Sequence, residues 1–309
     1  MSAPIETLAG GIETRVPENA TGQWEPGLGS RRTARRRSAA RMAGYYAVCT
    51  IITLLLLSPV VLVIGSSLKT SSALFSADPS VFPSSPTLAS YSALFDTTPF
   101  LRNIVNSIVI GVIVAAASAG VGSAGGYAIT RERFPGRQVV RVASLVWYMF
   151  PPMLVLIPLY LEFARVDLVN NDVGVGVAFL TFTIPFSLWM MTAFFQGVPS
   201  ELDEAARLDG ATKFGVFWRI ALPIARPGIA ACFVTAFMMT WGDYLFSVTL
   251  LSSGSSYTVG AGLNSIIGSV GLAYGELLAG TVIVLIVPVG ILLMGRRWFT
   301  RGLVAGALK

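Results

Sequence analysis

Two stretches of this sequence hold the residues best placed to do chemistry. The first is Glu204-Ala205-Ala206-Arg207-Leu208-Asp209-Gly210-Ala211, followed by Phe217, Leu222-Pro223 and Pro227-Gly228. It is polar and stands between two long apolar runs. It cannot lie in lipid, where its charges have no partners. It must project from the membrane, and a short projecting helix offers a surface to something soluble. The second is Trp241-Gly242-Asp243-Tyr244, with Asp243 the one acid well inside a predicted span. An ionisable group there faces the bundle interior or a cavity. A proton relay is one reading, but no second buried acid or His stands ready to take the proton. Lining of a polar path beside Trp241 and Tyr244 is another, and structural hydrogen bonding near the outer interface is a third. The relay fits least, and all three stay open.

Most other chemistry is excluded by what the chain lacks. It has no His, hence neither the commonest general base nor the commonest metal ligand. Its two cysteines, Cys49 and Cys232, fall inside apolar runs without CxxC spacing. They read as buried packing residues, and no metal site is expected. No GxxxxGK[ST] phosphate cradle is present, so ATP-driven work would need another subunit.

The elements that position these residues follow from composition. The chain has 309 residues, 54% of them hydrophobic and 12% charged, with a mean hydropathy of +0.70. That is about half the charge of a soluble domain and points to an all-α polytopic membrane protein. Apolar runs lie at 44–66, 103–129, 139–161, 173–196, 228–251 and 275–294. Each approaches or exceeds the roughly 20 residues that cross a hydrocarbon core. Six crossings put both termini on one side. Seven Lys/Arg lie in the N-terminal segment, with four each in 130–141, 197–227 and the C-terminal segment. Only Lys69, Arg102 and Arg165 fall on the other face. The bias makes both termini, and the segment carrying Glu204, cytoplasmic in a cell membrane.

Residues 1–40 read as a disordered tail whose Arg cluster holds the N-terminus in the cytoplasm, in contact with anionic lipid. A twin-arginine export signal fits less well, because the following run is long enough to span. Nucleic-acid binding is weaker still. Residues 41–101 form the first span plus an extracytoplasmic loop. That loop, 67–101, contains Pro79, Pro83, Pro86 and Pro99 and reads as a turn-rich cap rather than a helix. The core runs over 102–295, and 296–309 is a cytoplasmic tail. Residues 252–274 read as a second outer loop rich in Ser and Gly. Ser118, Gly122 and Gly126 recur every four residues, a face for close helix packing. Pro151-Pro152 removes two backbone donors in succession, predicting a broken third span beside a water-filled path. Pro185 and Pro288 predict kinks.

The projecting segment carries helix signals. Ser200 with Asp203 three residues on resembles a capping box. Glu201, Asp203 and Glu204 suit the first turn, and Gly210 suits a left-handed C-cap. A two-turn helix is expected over 201–209, then a second helix bearing Phe214, Phe217, Trp218 and Ile220 and leading to Pro223. So short a helix is marginal in water and needs a dock.

The spacing Glu-Ala-Ala-x-x-Asp-Gly-Ala, then Phe217, then Ile220-x-Leu222-Pro223-x-x-x-Pro227-Gly228, resembles the cytoplasmic EAA loop of binding-protein-dependent ABC importer permeases. Ile157-Pro158-Leu159-Tyr160, Pro185-Phe186, Phe194-Phe195, Trp241 and the tail Arg301–Lys309 are similar to the carbohydrate-importing branch, the maltose-type second permease. The resemblance covers roughly 44–309. It implies a six-helix type I ABC permease paired with a second, homologous permease. It implies that 201–210 is a coupling helix seated on a cytoplasmic ATPase dimer that binds ATP and Mg. It implies an extracytoplasmic solute-binding protein delivering a sugar. Glu204, Ala205, Ala206, Asp209, Gly210 and Pro223 are the implied coupling residues. Pro151, Pro152, Trp241, Asp243 and Tyr244 are the candidates for lining the path. The chain itself would hold no cofactor and catalyse no reaction. Gly242 stands where the pattern has Asn, which removes an amide contact there. Trehalose, maltodextrins, other oligosaccharides, polyols and glycerol phosphate all remain open as solutes. An ion-coupled secondary transporter would need a buried ion site and an inverted repeat, and the sequence has neither. An intramembrane enzyme would need a nucleophile with a base.

Overall fold

The computed structural model describes residues 28–76, 80–252, 254, 256–268 and 273–307, and among them there is no strand. The long apolar runs become helices because a buried or lipid-facing backbone must bond within its own segment. Helix α1 spans Leu28–Ser67, α4 Phe100–Arg131, α7 Asp172–Gln196 and α14 Tyr274–Ala307, with α2 (Ser71–Leu74) and α3 (Ala89–Thr97) between α1 and α4. Arg137–Met149 (α5) and Pro152–Arg165 (α6) meet at 100°. The helical stretch Lys213–Ile224 meets Arg226–Trp241 (α11) at 74°. Four helices are long and apolar enough to cross a membrane, and the two bent pairs bring the number to six.

Several expectations change. Helix α1 begins at Leu28, inside the stretch expected to be disordered; its Arg- and Ala-rich sequence is helix-forming and continues the span behind it. Residues 1–27 lie outside the described residues. The loop 67–101 is not free of helix: α2 and α3 form in it, because Leu94 of α3 is fully buried beside Phe100 while the prolines flank the helices. The Ser/Gly-rich 252–274 also contains a helix, α13 (Val259–Gly268). Val259 and Ile266 bury against the bundle, and Ser107 Oγ accepts the Val259 N–H at 2.7 Å. Pro185 and Pro288 sit inside α7 and α14, which continue past them. The fifth run is not one helix. It ends at Trp241 and restarts as α12 (Leu245–Leu250). Cys232 is buried as expected, whereas Cys49 is half-exposed on α1.

The packing axis is α4 against α7. The predicted small-residue face forms this contact. Ser118 Oγ donates to Thr183 Oγ1 at 2.7 Å, Gly122 faces Ser187 and Gly126 faces Met191. A side chain at Gly122 would bring its Cβ to 2.6 Å from the Ser187 Cβ, so the backbones approach as only glycine allows. Toward the 132–136 end, Tyr127, Met191, Phe195, Ala221, Ala225 and Cys232 form one apolar cluster. It roots the projecting segment on α4, α7 and α11.

Candidate functional site

The projecting segment folds as its residues dictate. Helix α8 is Glu201–Leu208, with three acids in its first turn and Asp209 as C-cap. The Gly210 N–H donates to Arg207 O and the Ala211 N–H to Ala206 O, each at 3.0 Å, and Gly210 is left-handed at φ +87°. The start differs from the expected capping box. Ser200 is helical in φ/ψ and its hydroxyl makes no cap bond; its carbonyl accepts from Asp203 and Glu204. The Asp203 carboxylate is drawn elsewhere, to Arg131. Thr212 then caps the next helix, its Oγ1 accepting the Gly215 N–H at 3.1 Å. That helix is α9 (Lys213–Val216), a π-turn (Phe217–Ala221) and α10 (Leu222–Ile224). Pro223 sits in α10, and Phe217 tucks its ring 5.1 Å from that of Tyr127.

Two adjacent residues at the end of α4 hold this segment. Arg131 Nε lies 2.9 Å from Asp203 Oδ2, and both side chains are about a tenth exposed or less. The pair is held by charge, not by an aligned hydrogen bond. The same guanidinium donates from Nη2 to Val198 O at 2.6 Å, tying down the end of α7. Removing one member of a buried pair costs on the order of 3–5 kcal/mol, since the other charge is left unpaired. Glu132 accepts from Arg207 Nη2 at 3.1 Å and from Lys213 Nζ, bridging the two helices on the solvent side.

The Lys213 hydrogen bond, with the Arg207 charge behind it, holds the Glu132 carboxyl below the usual carboxylate range. A lowered carboxylate stabilises fully above its ordinary pKa and loses that contribution as pH falls through the lowered one. Such exposed pairs are individually weak. Glu132→Gln is therefore expected to speed hydrogen exchange over 204–213 by about two- to fivefold at neutral pH. Wild type should match it, after correction for intrinsic exchange, only once pH has fallen below the ordinary carboxylate range. Equal rates in the two proteins at pH 7 would remove the bridge from the account.

The outer surface of the segment carries large apolar side chains among its charges. Leu208 is 89% exposed and Phe214 71%, with Leu202 and Trp218 also exposed. Glu204 and Ala205 lie on this open side, while Ala206 and Asp203 are what α8 buries. Phe214 and Trp218 pack ring to ring, centroids 5.8 Å apart, and an exposed apolar pair beside charge suits a protein contact.

The second candidate group is partly assembled. Asp243 and Pro152 line one cavity of about 250 Å³ with Tyr148, Phe179, Phe182, Thr183, Met239, Leu245 and Phe246. Asp243 Oδ2 accepts the N–H groups of Phe246 and Ser247 at 3.1 and 3.3 Å, capping α12. This bond explains the break in the fifth run: a short carboxylate offers the backbone an alternative to continuing the helix. Pro151 is the extended N-cap of α6 and is exposed. Trp241 is set apart from the cavity. It is buried, stacks on Phe237 and donates Nε1 to Val284 O at 3.3 Å. Tyr244 is exposed and not among the lining residues. Among the described residues, no group of His, Cys, Asp and Glu could hold a metal.

Sequence reasoning missed Arg131, which it counted only among the loop's basic residues, missed Glu132 altogether, and missed the pairing of Asp203, which it assigned to the capping box and the helix dipole. Only the fold brings positions 131 and 203 together. The cavity rings Tyr148, Phe182 and Phe246 likewise gave no signal beyond apolar character.

Comparison with known proteins agrees with this architecture. Residues 107–303 match the family described as binding-protein-dependent transport system inner membrane component. The trehalose transport system permease protein SugB of Mycobacterium tuberculosis (strain CDC 1551 / Oshkosh) is 30% identical over 273 residues, 87% of this chain and 99% of that protein. The maltodextrin transport system permease protein MdxG of Bacillus subtilis (strain 168) is 31% identical over 277 residues, 88% and 99% of the two chains. In fold, the chain is similar to a chain in the crystal structure of a bacterial ABC transporter involved in the import of the acidic polysaccharide alginate. The TM-score is 0.68 at 21% identity, over 85% of this chain and 97% of that one. A bundle of this pattern, matched over most of its length by the family and nearly end to end by such relatives, belongs to the binding-protein-dependent transport system inner membrane components.

Proposed function

We propose that this chain is a permease subunit of an ATP-driven importer, forming part of the translocation path for a sugar or related solute. It pairs with a second, homologous permease. A solute-binding protein delivers cargo on the outer side, and a separate cytoplasmic ATPase dimer, binding ATP and Mg, docks on α8. Hydrolysis belongs to that partner. The observation that carries the reading is the exposed apolar surface of Leu202, Leu208, Phe214 and Trp218 on a segment pinned to α4 by a buried ion pair. Large apolar side chains exposed among charges, on a segment held outside the bundle, suit a protein partner. Sugar as the cargo class follows from the relatives, two of which are named for trehalose and maltodextrin. The Asp243 cavity fits an uncharged solute: it has one acid and no basic residue among its lining. The distribution of Lys and Arg supports a cytoplasmic location for both termini and α8.

In this mechanism ATP draws the ATPase subunits together, the docked helix moves, and rigid-body motion of the bundle exchanges inward for outward access. The test is reconstitution with the ATPase, the second permease and the binding protein. Uptake should require ATP; uptake driven by a proton gradient alone would favour a secondary transporter. Glu204→Lys reverses a charge on the docking side and should lower copurification of the ATPase by about tenfold, in the range of a lost interfacial charge contact. An undiminished complex would count against docking at Glu204.

A further inference from the structure

Helix α8 has little reason to stay where it is. It is two turns long and buries only Asp203 and Ala206. Its flanks are non-helical: Gly197-Val198-Pro199-Ser200 precedes it, and left-handed Gly210 follows. A push on such a helix would be absorbed by the flanks unless something stiff connected it to a long helix. That connection is the end of α4. Arg131 reaches Asp203 in α8 and Val198 at the exit of α7, while Glu132 reaches Arg207 at the end of α8 and Lys213 at the start of α9. Two consecutive residues thus grip both ends of the projecting segment. Behind them α4 meets α7 through Gly122 and Gly126 at backbone contact, a crossing that resists sliding of one helix past the other.

We propose that Arg131 is the positioning residue that makes α8 move rigidly with α4 and α7, its pair with Asp203 passing displacement from the docked motor into the bundle. The proposal rests on the ATPase-docking reading above. Arg131 touches neither solute nor nucleotide in this scheme. It acts through Asp203.

The experiment uses the full complex of this chain, the second permease, the ATPase and the binding protein. Cys49 and Cys232 are replaced by Ala, and spin labels are placed at Arg133→Cys and Glu201→Cys, both exposed positions. The distance between labels is compared without nucleotide and after trapping with Mg-ATP and vanadate, so no solute need be known. With Arg131 present the distance should be unchanged on trapping. With Arg131→Gln it should shift or broaden by more than about 2 Å, the size of an ordinary helix displacement. The reversed pair, Arg131→Asp with Asp203→Arg, should restore the unchanged distance, which a general folding defect would not. A wild-type distance that moves on trapping overturns the proposal, as does an Arg131→Gln distance that stays fixed. Copurification of the ATPase is scored separately: its loss in the otherwise wild-type chain would defeat the docking reading itself.

Discussion

Gly210→Val is expected to abolish ATP-driven uptake while the protein still inserts in the membrane and expresses near its normal level. The residue has φ +87° and nothing lies within 4 Å of where a Cβ would stand, so the penalty comes wholly from the backbone. A left-handed conformation costs an ordinary L-residue about 1–2 kcal/mol, and a β-branched one more. The turn relieves that strain by leaving it, which breaks the 3.0 Å bonds from Gly210 and Ala211 back to α8. The helix then loses its C-cap and re-aims Leu208 and Phe214. Gly210→Asn, which tolerates left-handed geometry, should retain a substantial part of transport, and Gly210→Ala should fall between. Normal uptake by Gly210→Val would remove the coupling role from this segment.

Gly122→Leu is expected to have the largest effect on the fold itself. The added Cβ would sit 2.6 Å from Ser187 Cβ and 2.9 Å from Ser187 O, and backbone cannot move aside as a side-chain tip can. Overpacking in a tight core costs about 1–3 kcal/mol even for small additions, and four heavy atoms at a backbone crossing exceed that. The expected result is loss of the monodisperse species in detergent and a strong fall in membrane yield. Gly120, two residues away on the same helix, has nothing within 4 Å. Gly120→Leu should therefore leave yield and thermal unfolding close to wild type. If both variants behave alike, the α4–α7 crossing does not govern assembly.

Much of this was legible because lipid makes harsh demands on sequence. A backbone without water must be helical, so the apolar runs located the spans, and close helix crossings need small residues, so Ser118, Gly122 and Gly126 named their own face. Helix signals at Glu201 and Gly210 were local and therefore readable, whereas the Thr212 cap of the next helix was passed over. What escaped was whatever depends on two distant positions. The carboxylate of Asp203 looks like a first-turn acid until Arg131 is brought against it. Asp243 reads as a lone charge in an apolar run, and its bonds to Phe246 and Ser247, which divide that run in two, are visible only with the chain folded. The helix α13 hid in a Gly- and Ser-rich stretch because its burial is set by Ser107 and the bundle, not by its own composition.

The neighbouring residues at the end of α4 face different worlds, one sunk beside Asp203 and the other spanning Arg207 and Lys213 at the surface. Drift in descendant sequences should reflect that difference. A change at position 131 has no local remedy and should be inherited together with a matching change at 203, whereas position 132 has two correspondents and can wander with either. Aligned descendants of this chain should therefore show tight pairwise covariation at the first position and loose, shared covariation at the second.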